Sequence, residues 1–147
     1  MTFDALAGRR AMLWVLIAAK IFGEISKEGI NVDTIVQNVP HDKLSDISFT
    51  VPKSDLNKAI KATAAIGQKI GAGEILEDRN IARVSLVGSG MRSHSGIAAK
   101  MFRTLADNAI NIEMISTSEI SVSCIIQQDL ADKAVKALHK AFKLESI

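Results

Sequence analysis

The residues best placed for chemistry lie in one stretch, Gly88-Ser89-Gly90-Met91-Arg92-Ser93-His94-Ser95-Gly96. Its glycines let backbone approach a ligand closely, and a helix starting after Gly96 would offer free N–H groups to a carboxylate or phosphate. The spacing is not that of a Walker loop, because no Gly-Lys-Ser/Thr follows, and Gly-x-Gly alone also suits an ordinary strand-to-helix turn. His94 has no nucleophile or metal-ligand neighbour and reads as a loop residue; His41 and His139 read as exposed turn and helix surface. Asn31 and Asn111 each follow a helical pattern and open a strand pattern. Each is either a turn residue tolerant of left-handed dihedrals or an amide that recognises a ligand. Ser116, Thr117, Ser118 and Glu119 form a polar hairpin turn. Asp33 and Glu113 correspond to each other, yet nothing sets them across one site as an acid/base pair. Cys124 is the single cysteine, so an internal disulfide is excluded; among apolar strand neighbours it reads as core. The sequence holds no nucleophile with its base, no phosphate-cradling lysine motif, no metal set and no cofactor motif. It reads as a ligand-sensing or assembly module.

Composition narrows the classes further. A chain of 147 residues makes one ordinary domain or two small ones, and 48% apolar residues can build a packed core. Aromatics are only 4%, so that core is aliphatic, and the strands lack the rings with which an RNA-binding sheet stacks bases. A net charge of +2 with dispersed basic residues gives no nucleic-acid footprint. No apolar run reaches the roughly 18 residues of a membrane span. Residues 11–19, AMLWVLIAA, follow Arg9-Arg10 in the manner of a signal peptide. Lys20 ends the run inside a helical pattern, with no cleavage site after it, so a leader is not the reading. One free thiol suits a reducing, cytoplasmic setting.

The elements that position these residues come in two copies. Residues 17–33, IAAKIFGEISKEGINVD, match residues 97–113, IAAKMFRTLADNAINIE, at a constant offset of 80. A repeat in so short a chain means two copies of one module. We assign residues 1–16 to an atypical N-terminal segment, 17–80 to a first module and 81–147 to a second. In the first, 17–28 is an amphipathic helix with Ile17, Ala18, Ile21, Phe22 and Ile25 inward, ended by Gly29. Residues 30–39 and 45–51 are strands joined by a turn, the first alternating Ile30, Val32, Thr34, Val36 against its neighbours. Ser54 caps a helix over 55–66, and 74–77 is a short strand. In the second, 84–87 is a strand and 97–109 a helix with Met101, Phe102 and Leu105 inward. Strands at 110–116 and 119–126 follow. Asp129 caps a helix to about 143 with Leu130, Ala134, Leu138 and Phe142 inward, leaving 144–147 for a last strand. For 4–16 the pattern allows either a short buried strand at 12–16 or one long helix through Glu28. The order βαββαβ gives an α+β fold of tandem ferredoxin-like modules, antiparallel sheets with both helices on one face. The other sheet face would be bare, which predicts association through sheets.

VSLVGSGMRSHSGIAAKMF and NAINIEMISTSEISVSCII resemble the second ACT module of the regulatory region of aspartate kinase, where G-x-G-M-x-S/T-x-x-G and N-I-x-x-I-S-T-S-E-I are characteristic. EGINVDTIVQNV and DISFTVPKSDL are similar to that family's first ACT module. The resemblance covers residues 17–144. It implies an allosteric region that binds lysine or threonine and inhibits aspartyl phosphate formation, like a separate β regulatory subunit or a fragment. The catalytic kinase domain of the family is not in this chain. It also implies a homodimer through ACT modules, a catalytic kinase subunit as partner, or both. Effector would sit between a first and a second module of different subunits. Carried over by motif, Asn31, Val32, Asp33 and Gln37 would line the first module's share, and Ile97, Ala98, Asn111, Ile112 and Ser118 the second's. Gln37 would bond a threonine hydroxyl, and Asp33 would attract an ammonium.

The chain departs from the family at its start. Members have a strand and a D-K-P-G-type turn before the first repeated helix, whereas here RRAMLWVL runs straight into IAAK. The first module is therefore expected to be incomplete, which also leaves a non-sensing assembly role open.

Overall fold

The computed structural model describes residues 5–37, 47–72, 74–88 and 96–144. It divides into two compact units, Met1–Glu77 and Asp78–Ile147.

The second unit holds strand β3 (Ile81–Val87), helix α3 (Ile97–Asp107), strands β4 (Met114–Thr117) and β5 (Ser121–Gln127), and helix α4 (Ala131–Phe142). The three strands form an antiparallel sheet of order β3-β5-β4. β5 thus lies between two strands that run parallel to each other and are joined through α3, the split βαβ arrangement. Val84 pairs with Cys124, and Ile115 pairs with Cys124 from the other side. Alternate residues Val122, Cys124 and Ile126 face the helices and form one core with Val84, Met101, Leu105, Ala134 and Leu138. Leu130, Phe102 and Phe142 pack against it. Met101, Leu105, Cys124, Ile126 and Ala134 are fully buried. The other sheet face is not bare along its centre, contrary to expectation. Ser123 and Ile125 are buried there, and Ser123 shares a 2.7 Å hydroxyl–hydroxyl bond with Ser85.

The first unit holds helix α1 (Ala5–Lys27), strands β1 (Thr34–Gln37) and β2 (Ile47–Thr50), and helix α2 (Leu56–Ile70). The ambiguous start is helical, so α1 runs unbroken through the repeated helix. The two strands form a two-stranded antiparallel sheet. Ile21, Ile25, Ile30, Ala59 and Ile66 make the core, with Ile47, Phe49 and Val51 half-buried against it. Phe22 meets Phe49 edge-on, ring centres 5.4 Å apart.

The repeat is visible in the hydrogen bonds. Gly29 takes a left-handed φ of 69° and Ala109 one of 54°. Ile30 N–H reaches Ile25 C=O at 3.3 Å, and Ile110 N–H reaches Leu105 C=O at 3.0 Å. Both helices end in the same Schellman geometry, which satisfies carbonyls the helix leaves free. The left-handed residue is thus Gly29 or Ala109, and neither asparagine holds that role. Next, Asp33 N–H donates to Thr50 C=O at 2.9 Å, and Glu113 N–H to Ile125 C=O at 2.8 Å. β1 corresponds to β4, and with Thr34 paired to Thr50 and Met114 to Ile125, β2 corresponds to β5 at an offset of 75.

Several boundaries differ from expectation. Ser54 and Asp129 do not cap helices: each lies in a 3-10 turn, Lys53–Asp55 or Gln128–Leu130, from which the helix continues with no side-chain cap. α2 extends to Ile70, and β3 begins at Ile81 rather than 84. Residues 30–33 and 110–113 are not strand, because the turn after each helix consumes them. The expected alternation breaks there: Val32 packs on the core, yet Thr34 shares a face with Thr50, opposite Phe49. Residues 74–77, expected as a strand, do not form one, and Leu144 lies outside any strand. Residues 38–46 and 89–95, expected as turns and holding His41 and His94, and residues 145–147 lie outside the described residues. Among the described residues no helix is long and apolar enough to cross a membrane.

Candidate functional site

Three of the residues singled out by sequence stand at one end of the second unit's sheet. β3 and β4 run the same way and finish there. Gly88 N–H donates to Ile120 C=O at 2.9 Å, tying the end of β3 to the β4–β5 turn. In that turn Ser118 N–H donates to Ser121 C=O at 2.8 Å, and the two serine hydroxyls lie 2.7 Å apart. Ser118 Oγ also accepts from Ile120 N–H at 3.3 Å. Ser118 is exposed and held in place, so its hydroxyl can still turn to a ligand. α3 starts after Gly96, whose φ is 98° and whose carbonyl accepts the first helical bond from Lys100 at 2.8 Å. Among the described residues no side chain caps this start. The leading N–H groups, those of Ile97 and Ala98 among them, have no intrahelical acceptor and carry the positive end of the helix dipole. Both side chains are half-buried.

Asn111 and Ile112 stand at the opposite end of the same sheet, after α3 has ended. Asn111 is exposed, and Ile112 packs against the core. Lys133 Nζ donates to Asn108 C=O at 2.7 Å and Asn108 Nδ2 to Thr104 C=O at 2.8 Å, which fixes the helix end just before them. In the first unit Asn31 and Asp33 are exposed and Val32 is half-buried at the start of β1. Gln37 is exposed at the other end of that strand, opposite Ile47 in register. The nine residues singled out by sequence therefore fall into four places. The structure gathers Ile97, Ala98 and Ser118 at one end of the second sheet and Asn111 with Ile112 at the other. It likewise separates Asn31, Val32 and Asp33 from Gln37 by the length of β1. Asp33 and Glu113 hold the same place in each unit and do not share a site within either one.

Among the described residues two titrating groups are perturbed. Burial pushes the Cys124 thiol above its ordinary value, keeping it neutral and unreactive in the core. The Lys27 ammonium, bonded to Glu24 at 2.7 Å, holds the Glu24 carboxyl below the usual range on an exposed face. Sequence reasoning missed an open groove between α1 and α2, where Glu24 and Glu28 face Lys58, Lys61 and Lys69 over Ile66. The signal was in the chain, since these charges recur at helical spacing on facing helices. Mixed in sign and open to solvent, the groove reads as inter-helix charge matching. Among the described residues no group of three or more His, Cys, Asp or Glu could hold a metal ion.

A family model for the ACT domain matches residues 5–65 and 84–142. The aspartate kinase Ask_LysC of Stutzerimonas stutzeri is 51% identical over 130 residues, covering 88% of this chain and 32% of that one. The aspartokinase of Pseudomonas aeruginosa is 50% identical over the same length. The chain thus spans about a third of the length of these relatives. Among solved structures, the ligand-free regulatory subunit of aspartate kinase from Thermus thermophilus superposes with a TM-score of 0.81 at 41% identity, covering 86% of this chain and 83% of that one. A structure of aspartokinase alpha and beta subunits gives 0.80 at 46% identity with the same coverage. The chain belongs to the ACT-domain family, as the regulatory ACT part of an aspartokinase.

Proposed function

We propose that the chain binds lysine or threonine and conveys feedback inhibition of aspartyl phosphate formation in the biosynthesis of aspartate-family amino acids. The likeness that carries this reading is to a chain that is itself a regulatory subunit, over most of its length. On this reading the transfer of phosphate from ATP to aspartate belongs to a kinase domain or a kinase-bearing partner chain, in the cytoplasm.

The site would be shared. By the family resemblance, a first module's share and a second module's share would meet across a contact between subunits. A zwitterion fits such a pocket. The start of α3 and Ser118 would offer donors to its carboxylate, and Asp33 with neighbouring backbone carbonyls would take its ammonium. Gln37 would bond a threonine hydroxyl. Asn31, Val32, Asn111 and Ile112 would frame the side chain. Calorimetric titration tests this: lysine or threonine is expected to bind saturably, with affinity reduced at least about tenfold in Gln37→Ala or Ser118→Phe. Unchanged binding in both variants would remove the assignment.

The two-stranded sheet of the first unit favours a second reading, an assembly subunit that joins kinase chains without sensing. Thermal unfolding separates the two. A sensor gains a concentration-dependent rise in Tm with lysine or threonine, and an assembly subunit gains none.

A further inference from the structure

The second unit supplies the template from which the first departs. In it β3 pairs along the whole of β5, from Ile81 with Gln127 to Val87 with Ser121. Residues 1–7 are the counterparts of β3 at the repeat offset, and α1 already covers them from Ala5. Among the described residues no strand pairs with the far edge of β2, the counterpart of β5.

Three further observations fit a vacant strand place. Ile47, Phe49 and Val51 are only half-buried, whereas their counterparts Val122, Cys124 and Ile126 are buried. Residues 74–77, the last strand of a βαββαβ order, would pair with the strand that is missing. They form no strand, with Ile75 42% and Leu76 82% exposed. Thr63 of α2 corresponds to Leu138 of α4, which belongs to the core that includes Val84 of β3. Here Thr63 buries a hydroxyl with no partner.

We propose that the first unit accepts a β-strand from a partner chain of different sequence, paired antiparallel with β2 and flanked on its other side by residues 74–77. The repeat specifies the occupant. Its core-facing residues take the places of Ala82, Val84 and Leu86, so it is an extended segment with small or branched apolar residues at alternate positions. The residue in the place of Val84 stands opposite Phe49. Main-chain hydrogen bonds would hold the strand and the alternate pockets would select it. This inference does not depend on amino-acid sensing.

The probe is a peptide with the sequence of residues 80–88, Asn-Ile-Ala-Arg-Val-Ser-Leu-Val-Gly, added to the full chain and followed by fluorescence anisotropy and amide hydrogen exchange. Saturable binding is expected, with exchange at Ile47 and Phe49, whose amides face the open edge, slowed at least about tenfold and residues 74–77 gaining protection. A peptide carrying Val84→Pro, which cannot keep the ladder, is expected to do neither. The proposal is overturned by absence of binding while far-UV circular dichroism shows an intact fold, or by protection confined to β4. Protection of 47–50 equal to that of β5 without peptide would mean that the chain fills its own slot, and also overturns it. Protection that grows with chain concentration alone would make a second copy the occupant, with the same consequence.

Discussion

The two units repeat one plan and differ by one strand. Their helices end alike, their β1/β4 entries carry the same backbone bond, and their second helices are entered through the same 3-10 turn. The second unit has a central strand with neighbours on both edges and five fully buried core residues across strands and helices. The first has two paired strands and a core whose strand side chains are half-covered. A helix stands at positions that are strand in the other copy, and its consequences reach residues 74–77, far along the sequence. A strand that lacks its neighbour does not form, whatever its own pattern.

The largest expected contrast is between Ile126 and its counterpart Val51. Ile126→Ala removes a fully buried side chain from between two helices and a sheet and should cost about 3–4 kcal/mol. Val51→Ala should cost about 1 kcal/mol, because its site is open enough to lose little. Urea unfolding of the two variants checks this, and equal costs would show the two cores to be equally closed.

Cys124 offers the next test. Cys124→Ser places a hydroxyl without a partner in an apolar core and should cost about 2 kcal/mol. The raised thiol also predicts a pH effect. Above its ordinary value of 9.0 the unfolded chain releases a proton that the folded chain keeps, so stability is intact below that pH and falls as pH rises through it. Cys124→Ala should lack this alkaline decline, read as Tm against pH.

In the first unit Thr63→Val should stabilise by about 1 kcal/mol, since it removes a buried hydroxyl that has no partner and keeps the shape. The smallest effect belongs to the matched helix ends. Ala109→Gly should stabilise by about 0.5–1 kcal/mol by relieving a left-handed alanine, and Gly29→Ala should destabilise by about 1 kcal/mol. Thermal unfolding reads both, and opposite signs are the prediction.

Much of this was legible in the sequence because it rests on periodicity. The inward stripes of α1, α3 and α4, the core position of Cys124 and the face carrying Ile47, Phe49 and Val51 all follow from the spacing of apolar residues. The second half of the repeat was hidden. Its offset shifts from 80 to 75, and Thr50 and Thr63 stand where the other copy has Ile125 and Leu138. Ser54 and Asp129 suggested caps because their side chains suit that role, while a 3-10 turn makes the entry without them. The strand expected at 74–77 depends on a partner strand, which local pattern cannot supply. The candidate site residues were legible only through motif, since their grouping at the ends of two sheets is a property of topology.

The central claim is that the two units are one module, with β3 present in one copy and no described counterpart of it in the other. Native-state hydrogen exchange of the free chain tests it most directly. The account predicts that amides of β5 exchange only through unfolding of their whole unit, while those of β2 on its open edge exchange at least about a hundredfold faster. Equal protection of the two strands would contradict it.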